Sequence, residues 1–396
     1  MASIKRRPNG SWRARYRDVE GKEHARHFSR KVDAQHWLDE VTASVVTGQY
    51  VDPDAGRITF AAYYATWAEQ QVWAPGTRKA MDLAVRTATF GDVPLRALRR
   101  THVERTVKTM VDRGLAPGTV RTRYLNLRSV MRAAVRDRLV ATDPTDGVVL
   151  PRRRRAEVAM QLPTVLMVAQ LLAHAAPQFR AFIALAAFGG LRLGEAAAVQ
   201  AADVDFLRRE LRVSRQVQRL DGGEVDIRSP KYGSERVVYL PDGLLQELAA
   251  HIAEHRPGDE ATRWLFPGEA GNPLHQNSAG YHWRTARDAA AEALAAMAAE
   301  ERDQHARAAL RAQSEDMKST RLHDLRHWFA SGLISAGCDV VTVQRALGHS
   351  SATVTLSTYS HLWPTAEDRT RRAAGELVAE VAAATLADSV RTEATR

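Results

Sequence analysis

The sequence predicts a multidomain α+β chain that is mainly α with small β-sheets. Three observations carry this. Residues 12–17, WRARYR, alternate strictly between Trp12, Ala14 and Tyr16 on one side and Arg13, Arg15 and Arg17 on the other, the period-2 mark of a half-buried strand. Residues 59–150 hold four successive stretches of helical period. From about 160 onward the pattern is again helical, interrupted by a short sheet over 209–240. A chain of 396 residues has room for two or three domains, each burying its own core.

Residues 1–56 read as a small first domain. The turn PNG (8–10) precedes the alternating strand and DVEGK (18–22) follows it, and a third strand at about 23–28 completes a meander. The stretch 29–46 then reads as an amphipathic helix with Ser29 as its N-cap and Val32, Trp37, Val41 and Val45 toward the sheet. The arginines would line the open face of that sheet. Residues 47–58, rich in Gly, Asp and Pro, read as a linker.

The second domain, 57–152, is helical: TFAAYYATWAEQQVW, PGTRKAMDLAVRTATF, RRTHVERTVKTMVDRG and APGTVRTRYLNLRSVMRAAVRDRL. In the last, Val120, Tyr124, Leu127, Val130, Met131, Ala134 and Val135 share a face, and arginines such as Arg121, Arg128 and Arg132 occupy the other. A second linker, 141–155, ends in four arginines that include Arg152 and Arg153. The third domain, 153–396, is mostly helical. Its sheet is expected from ELRVSRQV, GEVDIRSP and SERVVYLP, with turns at 221–223 and 232–233. Residues 284–317 are rich in Ala, Arg and Glu and poor in bulky apolar residues, which predicts a thin, weakly packed helix. The tail 371–390 is periodic in Leu377, Val378, Val381, Ala384 and Leu386.

Charge narrows the class. The net charge is +10, and it is concentrated: residues 1–31 hold ten Lys/Arg against three acids, and residues 95–155 sixteen against five. Two basic regions on an otherwise acidic chain are the footprint of a nucleic-acid binder. No apolar run approaches a membrane span, and the basic N-terminus has no apolar stretch behind it to make a secretory signal. One cysteine, Cys338, excludes an internal disulfide framework and a multi-cysteine zinc site, so the expected compartment is a reducing cytoplasm.

The chemistry-bearing clusters follow one another in order. GGLRLGEAAAV (189–199) places Arg192 and Glu195 three residues apart on a helix face. SPKYGSERVVYLP sets Lys231 at a hairpin turn, and HDLRHWFAS (323–331) places His323 and Arg326 three apart. ALGHSSATVTLSTYSHL (346–362) supplies His349 and Tyr359. Taken singly each is weak, since a helical Arg/Glu pair is usually a surface ion pair. HDLRH also looks like the zinc motif H-E-x-x-H, but Asp324 stands where Glu is required and Arg326 would set a guanidinium beside the metal.

Taken together and in order, these residues over about 160–365 resemble the phage-integrase family of tyrosine recombinases. Residues 57–152 look like that family's helical core-binding domain, and 1–56 like the arm-binding domain of phage integrases. The resemblance implies site-specific cleavage and rejoining of duplex DNA through a 3′-phosphotyrosyl link, with no metal, ATP or other cofactor; no P-loop G-x-x-x-x-G-K-[ST] occurs here. Arg192 and Arg326 would fork onto the non-bridging phosphate oxygens, and His349 would add a third donor. Tyr359 would be the nucleophile, His323 would assist its deprotonation, Lys231 would protonate the leaving oxygen and Glu195 would orient the cluster. DNA contacts are expected from Arg13, Arg15, Arg17, Arg121, Arg128, Arg132, Arg152 and Arg153. Tyr359 is expected in a polar, mobile segment from which it can travel to the phosphate.

The implied partners are duplex attachment sites, three further copies of the chain in a tetramer on DNA, and DNA-bending or directionality proteins, with no membrane. The tail would be a helix exchanged with a neighbouring protomer or packed in cis. The insert 284–317 is longer than the family usually carries. The same chemistry serves a chromosome-dimer resolvase, a transposon recombinase or a type IB topoisomerase. A non-cleaving DNA-binding regulator on this fold is the rival from another class.

Overall fold

The computed structural model describes residues 2–17, 21–46, 55–152, 162–219, 224–230, 233–363, 367, 370–371 and 374–382. The chain divides into two compact units, Met1–Ala159 and Met160–Arg396. Lys231, Arg153, the sheet turn 221–223, residue 232 of the second turn and all of 383–396 lie outside the described residues.

The first unit contains two separate cores. One is built on an antiparallel sheet of β1 (Ser3–Arg6), β2 (Trp12–Arg17) and β3 (Glu23–Phe28), in that order, with Ala14 opposite Ile4 and Arg26. Helix α1 (Lys31–Val46) covers one face. Ala14 and Tyr16 are buried as the alternation requires, but the helix meets them with Ala34 and Leu38, flanked by Trp37 and Val41. Val32 is 57% exposed, and the helix starts two residues beyond Ser29. Those two assignments were therefore out of phase: the small Ala34, not Val32, allows the helix to approach the sheet.

The other core is a four-helix module: α2 (Phe60–Glu69), α3 (Pro75–Thr87), α4 (Arg100–Asp112) and α5 (Pro117–Arg136). Thr59 caps α2 by accepting from the Ala62 N–H at 3.3 Å, and prolines open α3 and α5, where a missing N–H costs nothing. The expected face of α5 is the buried one, from Val120 through Ala134. Tyr124 donates its hydroxyl to Thr145 O at 2.6 Å and pins the segment after the module.

The second unit is organised around α7 (Pro177–Phe188), which buries all sides as its Phe179–Ala187 run dictates. Around it stand α6 (Val165–Ala173), α8 (Leu193–Ala197) and, after the strands, α9 (Asp242–His255). The sheet is in two parts. β4 (Val204–Asp205), β5 (Glu210–Val213) and β8 (Arg236–Tyr239) make one antiparallel set in the order β4-β5-β8; β6 (Gln216–Arg219) and β7 (Val225–Arg228) make a separate hairpin. ELRVSRQV is thus two strands. The break falls at Ser214-Arg215, where Arg215 Nη1 turns to Gln200 Oε1 (2.6 Å) and Asp203 Oδ2 (2.9 Å).

The Ala-rich insert is a helical hairpin, α10 (Gln276–Glu300) and α11 (Gln304–Ser319), and it is not weakly packed. Ala279, Trp283, Ala286, Ala290, Leu294 and Ala298 form one buried stripe along α10, which packs against α6 and α11. Alanine lets the backbones approach, and Ser314 Oγ donates to Ala291 O at 2.9 Å between the two helices. The remaining helices are α12 (Leu322–Ser335), α13 (Val340–Leu347) and α14 (Ala352–Tyr359). In the tail, residues 374–382 are helical, with Leu377, Val378 and Val381 exposed. A close-packed hairpin predicts that Ala290→Leu destabilises the protein by about 1–3 kcal/mol. Denaturant unfolding measures this, and unchanged stability would mean a loose α10–α11 contact.

Candidate active site

Elements far apart in the chain converge on one carboxylate. Arg192 is the N-cap residue of α8, and Glu195 is the third residue inside it, so the i, i+3 spacing folds the Glu195 side chain back onto its own helix start. Glu195 Oε2 accepts from the Arg192 N–H at 3.0 Å, and Oε1 accepts from Arg192 Nη1 at 2.6 Å. Arg236 of β8 donates Nη2 to Glu195 Oε2 at 2.9 Å. Arg326 of α12 brings Nη1 to 3.9 Å from the same oxygen. The Glu195 side chain is 1% exposed. Burial alone would raise its pKa, but the Arg236 hydrogen bond and the charges of Arg236 and Arg192 hold it at about 2.

Arg326 is itself buried and spans two chain segments, donating Nη1 to Gly190 O and Nη2 to Leu347 O. Gly190 has φ +64°, and a Cβ there would stand 2.5 Å from Phe329 Cδ1, so the paired glycines of the Arg192 motif are a steric requirement. Helix α13 ends in a left-handed glycine, Gly348 (φ +61°); its N–H donates to Arg345 O and the His349 N–H to Gln344 O, both at 3.1 Å. This reversal is what delivers His349. Its Nδ1 lies 2.9 Å from Thr355 Oγ1, and its ring stacks on Tyr359 with centroids 6.3 Å apart and planes at 11°.

Tyr359 departs from expectation. It is the last residue of α14 and 1% exposed, packed with Ala330, Ile334, Val343 and Leu347. Its hydroxyl is 2.7 Å from His327 Nδ1. Burial raises the phenol to about 12, partly offset by Arg326 and Arg192. The segment is not an exposed strand or loop because its hydroxyls bond within the helix: Ser357 Oγ and Thr358 Oγ1 both donate to Val354 O at 2.9 Å.

The histidine on the Tyr359 hydroxyl is therefore His327, which the sequence suggested only as half of a false zinc motif. His323 sits one turn earlier, edge-on to His327 with centroids 4.8 Å apart. It lies at an exposed position; desolvation, then repulsion from His327 when that ring is protonated and from Arg326 and Arg192, brings it down to about 4. Burial and then Arg326, Arg192 and Arg236 do the same to His349. Of the expected set, Arg192, Glu195, His323, Arg326, His349 and Tyr359 are brought together. Arg236 was missed, because an arginine in a strand carries no spacing signal. Among the described residues, no group of three or more His, Cys, Asp or Glu is arranged to hold a metal, and no helix is long and apolar enough to cross a membrane.

Five of the eight expected DNA-contact arginines fall on two surfaces of the first unit. Arg13, Arg15 and Arg17 lie opposite the Ala14–Tyr16 face and share one carboxylate, Glu23, at 3.4, 3.4 and 3.8 Å. An open groove of about 1610 Å³ in the helical module is lined by Arg99, Arg100, Arg128, Arg132 and Arg136 beside Trp67 and Trp73. Arg128 is committed in part to Asp146, at 2.5 Å. Arg121 and Arg152 are exposed and lie outside the groove lining.

Comparison with known proteins bears on this geometry. The profile of the phage integrase family matches residues 164–365, and that of the phage integrase N-terminal domain matches residues 2–47. A prophage phiRv2 integrase of Mycobacterium tuberculosis is 29% identical over 374 residues, 89% of each chain. The ICEBs1 integrase of Bacillus subtilis is 27% identical over 267 residues, 65% of each. Among solved structures, the Tn1549 transposon integrase in complex with transposon right-end DNA aligns with a TM-score of 0.64 at 20% identity, over 81% of this chain and all of that one. A lambda integrase tetramer bound to a Holliday junction aligns at 0.53 and 15% identity, over 91% and 94%.

The lowered histidines give a pH signature. Both His323 and His349 bind protons more weakly folded (about 4) than unfolded (ordinary value 6.5). Their neutral forms thus contribute stability that is fully present above about pH 6.5 and is lost as pH falls toward 4. Glu195 acts lower: its contribution is present above its ordinary 4.5 and lost only as pH falls through about 2. Between pH 7 and 4.5 the melting temperature of the wild type should fall, and a His323→Gln/His349→Gln variant should fall less. Parallel curves would show that these two imidazoles are not held neutral.

Proposed function

The chain belongs to the phage integrase family, and on that premise we propose that it is a site-specific tyrosine recombinase of the phage-integrase type, with Tyr359 as its nucleophile. The observation that supports this most is the meeting of Arg192 and Arg326 on Glu195, with His349 and Tyr359 stacked on each other within the field of the same two arginines.

In the proposed reaction the Tyr359 hydroxyl oxygen attacks the phosphorus, the bond to the 5′-oxygen breaks, and a 3′-phosphotyrosyl link keeps the bond energy for rejoining. Negative charge grows on the non-bridging oxygens, and fixed guanidinium donors meet it without reorganisation. Arg192, 27% exposed, is the donor nearest solvent. Arg326 has N–H groups beyond those on Gly190 and Leu347 to offer. The phenolic proton passes to the imidazole within reach, His327 where the hydroxyl now stands, with His323 one ring beyond. The resemblance gives Lys231 the protonation of the leaving oxygen. A phenol at about 12 is unprimed, so productive DNA binding must bring Tyr359 out of its pocket and toward the phosphate.

Residues 1–56 are proposed as an arm-site-binding domain, 57–152 as the core-site-binding domain and 153–396 as the catalytic domain with its tail. A phage-type N-terminal match favours an integrase over a chromosome-dimer resolvase, a transposon recombinase or a type IB topoisomerase. The partners would be duplex attachment sites and three further copies of the chain, with DNA-bending or directionality proteins, in the cytoplasm of a bacterial host. The exposed Leu377 and Val378 suit a tail helix that docks on a neighbouring protomer.

On nicked duplex from the DNA flanking the gene, the wild type should form an SDS-resistant, protease-sensitive adduct and Tyr359→Phe should not. Arg192→Ala should bind nearly normally and cleave on the order of 10²–10³ more slowly. Adduct formation by Tyr359→Phe would overturn the assignment of the nucleophile, and binding without any adduct would favour a non-cleaving regulator. Deleting 375–396 should weaken tetramer assembly on DNA more than binding of one site, as read by gel shift. Equal loss of both would place the tail helix in cis.

A further inference from the structure

Helix α13 ends by presenting three consecutive carbonyl oxygens to three different arginines. Ala346 O accepts from Arg236 Nε at 2.9 Å, Leu347 O from Arg326 Nη2, and Gly348 O from Arg192 Nη2 at 3.3 Å. The same three arginines surround Glu195. Arg192 and Arg326 belong to the ordered motifs; Arg236 belongs to none. Its side chain is only 6% exposed, and each guanidinium nitrogen is already engaged: Nε with Ala346 O, Nη1 with Ser234 O at 3.4 Å, and Nη2 with Glu195 Oε2. So placed, it joins Glu195 to the end of α13 and to the Ser234 backbone.

The turn that delivers His349 is built on it. A Cβ at Gly348 would stand 3.0 Å from both Arg236 Cδ and Nη1, so the backbone of that turn rests on the arginine stem. Ser234, two residues earlier, completes the joint, its hydroxyl accepting from Arg192 Nη1 at 3.4 Å. We infer that Arg236 is a positioning residue for DNA cleavage: it clamps Glu195 to the end of α13 and thereby fixes the relative placement of Arg192 and His349. This rests on the reading of the site as a phosphotyrosyl-forming centre. Lysine cannot substitute, since one ammonium can meet the Glu195 carboxylate or Ala346 O but lacks the planar fork that spans both.

The test uses the full-length protein with Arg236→Lys and Arg236→Ala, each alone and combined with Glu195→Gln. Three quantities are read: affinity for duplex, single-turnover adduct formation on bound nicked duplex, and the carboxyl titration of Glu195 by ¹³C NMR without DNA. Among the described residues Glu195 has Arg192, Arg236 and Arg326 as hydrogen-bonding or ion-pair partners, with His323 within its field, so its titration reports this joint.

The expected result is little change in affinity, a loss of about 10²-fold in cleavage rate, and a Glu195 titration that climbs from about 2 toward its ordinary 4.5. The effect of Arg236→Lys on rate should shrink sharply on the Glu195→Gln background, because both changes open the same joint. Cleavage at the wild-type rate by Arg236→Lys would overturn the inference. So would losses that multiply independently, or a rate loss that follows only the folded fraction while Glu195 titrates unchanged. If Arg236→Ala does not fold, Arg236→Lys decides. If the wild type itself forms no adduct, the recombinase reading fails, while the Glu195 titration still decides whether Arg236 governs the carboxylate.

Discussion

One buried carboxylate shared by three guanidiniums is the constraint on which the second unit depends. A lone ionised Glu195 in this position would be prohibitively desolvated, and three arginines this close would repel without it. Together they leave an excess of positive charge, buried at Glu195 and Arg326 and reaching the surface at Arg192. The strain is visible at Arg326, whose pKa is pulled down to about 9 by burial first and then by Arg192, with Glu195 working against the fall. A cluster so balanced lacks one anion. A phosphodiester supplies that charge, and its transition state supplies more, which is where fixed donors are most effective.

Tyr359, the proposed nucleophile, is governed by the opposite environment. Tyr359 sits among Ala330, Ile334, Val343 and Leu347, with His327 on its hydroxyl, and the arginines only partly offset the burial that raises it. An unprimed phenol held away from solvent is inert toward stray phosphates, and the charge cluster that would activate it lies next door.

Much of this was legible in the sequence, and the failures have physical reasons. His323/Arg326 could be read because a helix converts a spacing of three into a shared face, and Arg192/Glu195 because the same spacing joins an N-cap to the third residue of its helix rather than two residues of one face. Arg236 could not, since a strand residue is placed by its sheet partner, here Val213 across β5, and not by its neighbours in the chain. The burial of Tyr359 was hidden because Ser and Thr make a segment look solvent-loving, whereas here their hydroxyls return to the helix backbone. In α1 the bulk of Val32 suggested a core contact that the smaller Ala34 makes. The alanines of α10 looked too thin to pack, yet small side chains are what allow that close helix pair.

The Gly-His pair shows how stability and chemistry come to share the same atoms. A helix leaves its last carbonyls without partners inside itself. In α13 the glycine turn satisfies two of them, Gln344 and Arg345, through the N–H groups of His349 and Gly348. The oxygens of Ala346, Leu347 and Gly348 remain, at the negative end of the helix dipole, and each takes an arginine of the site. The cationic groups are thus held by a helix terminus that needs them as caps. Displacing any one of them uncovers a buried carbonyl as well as moving a donor, so the geometry of the charge cluster is fixed by the requirement that α13 end properly.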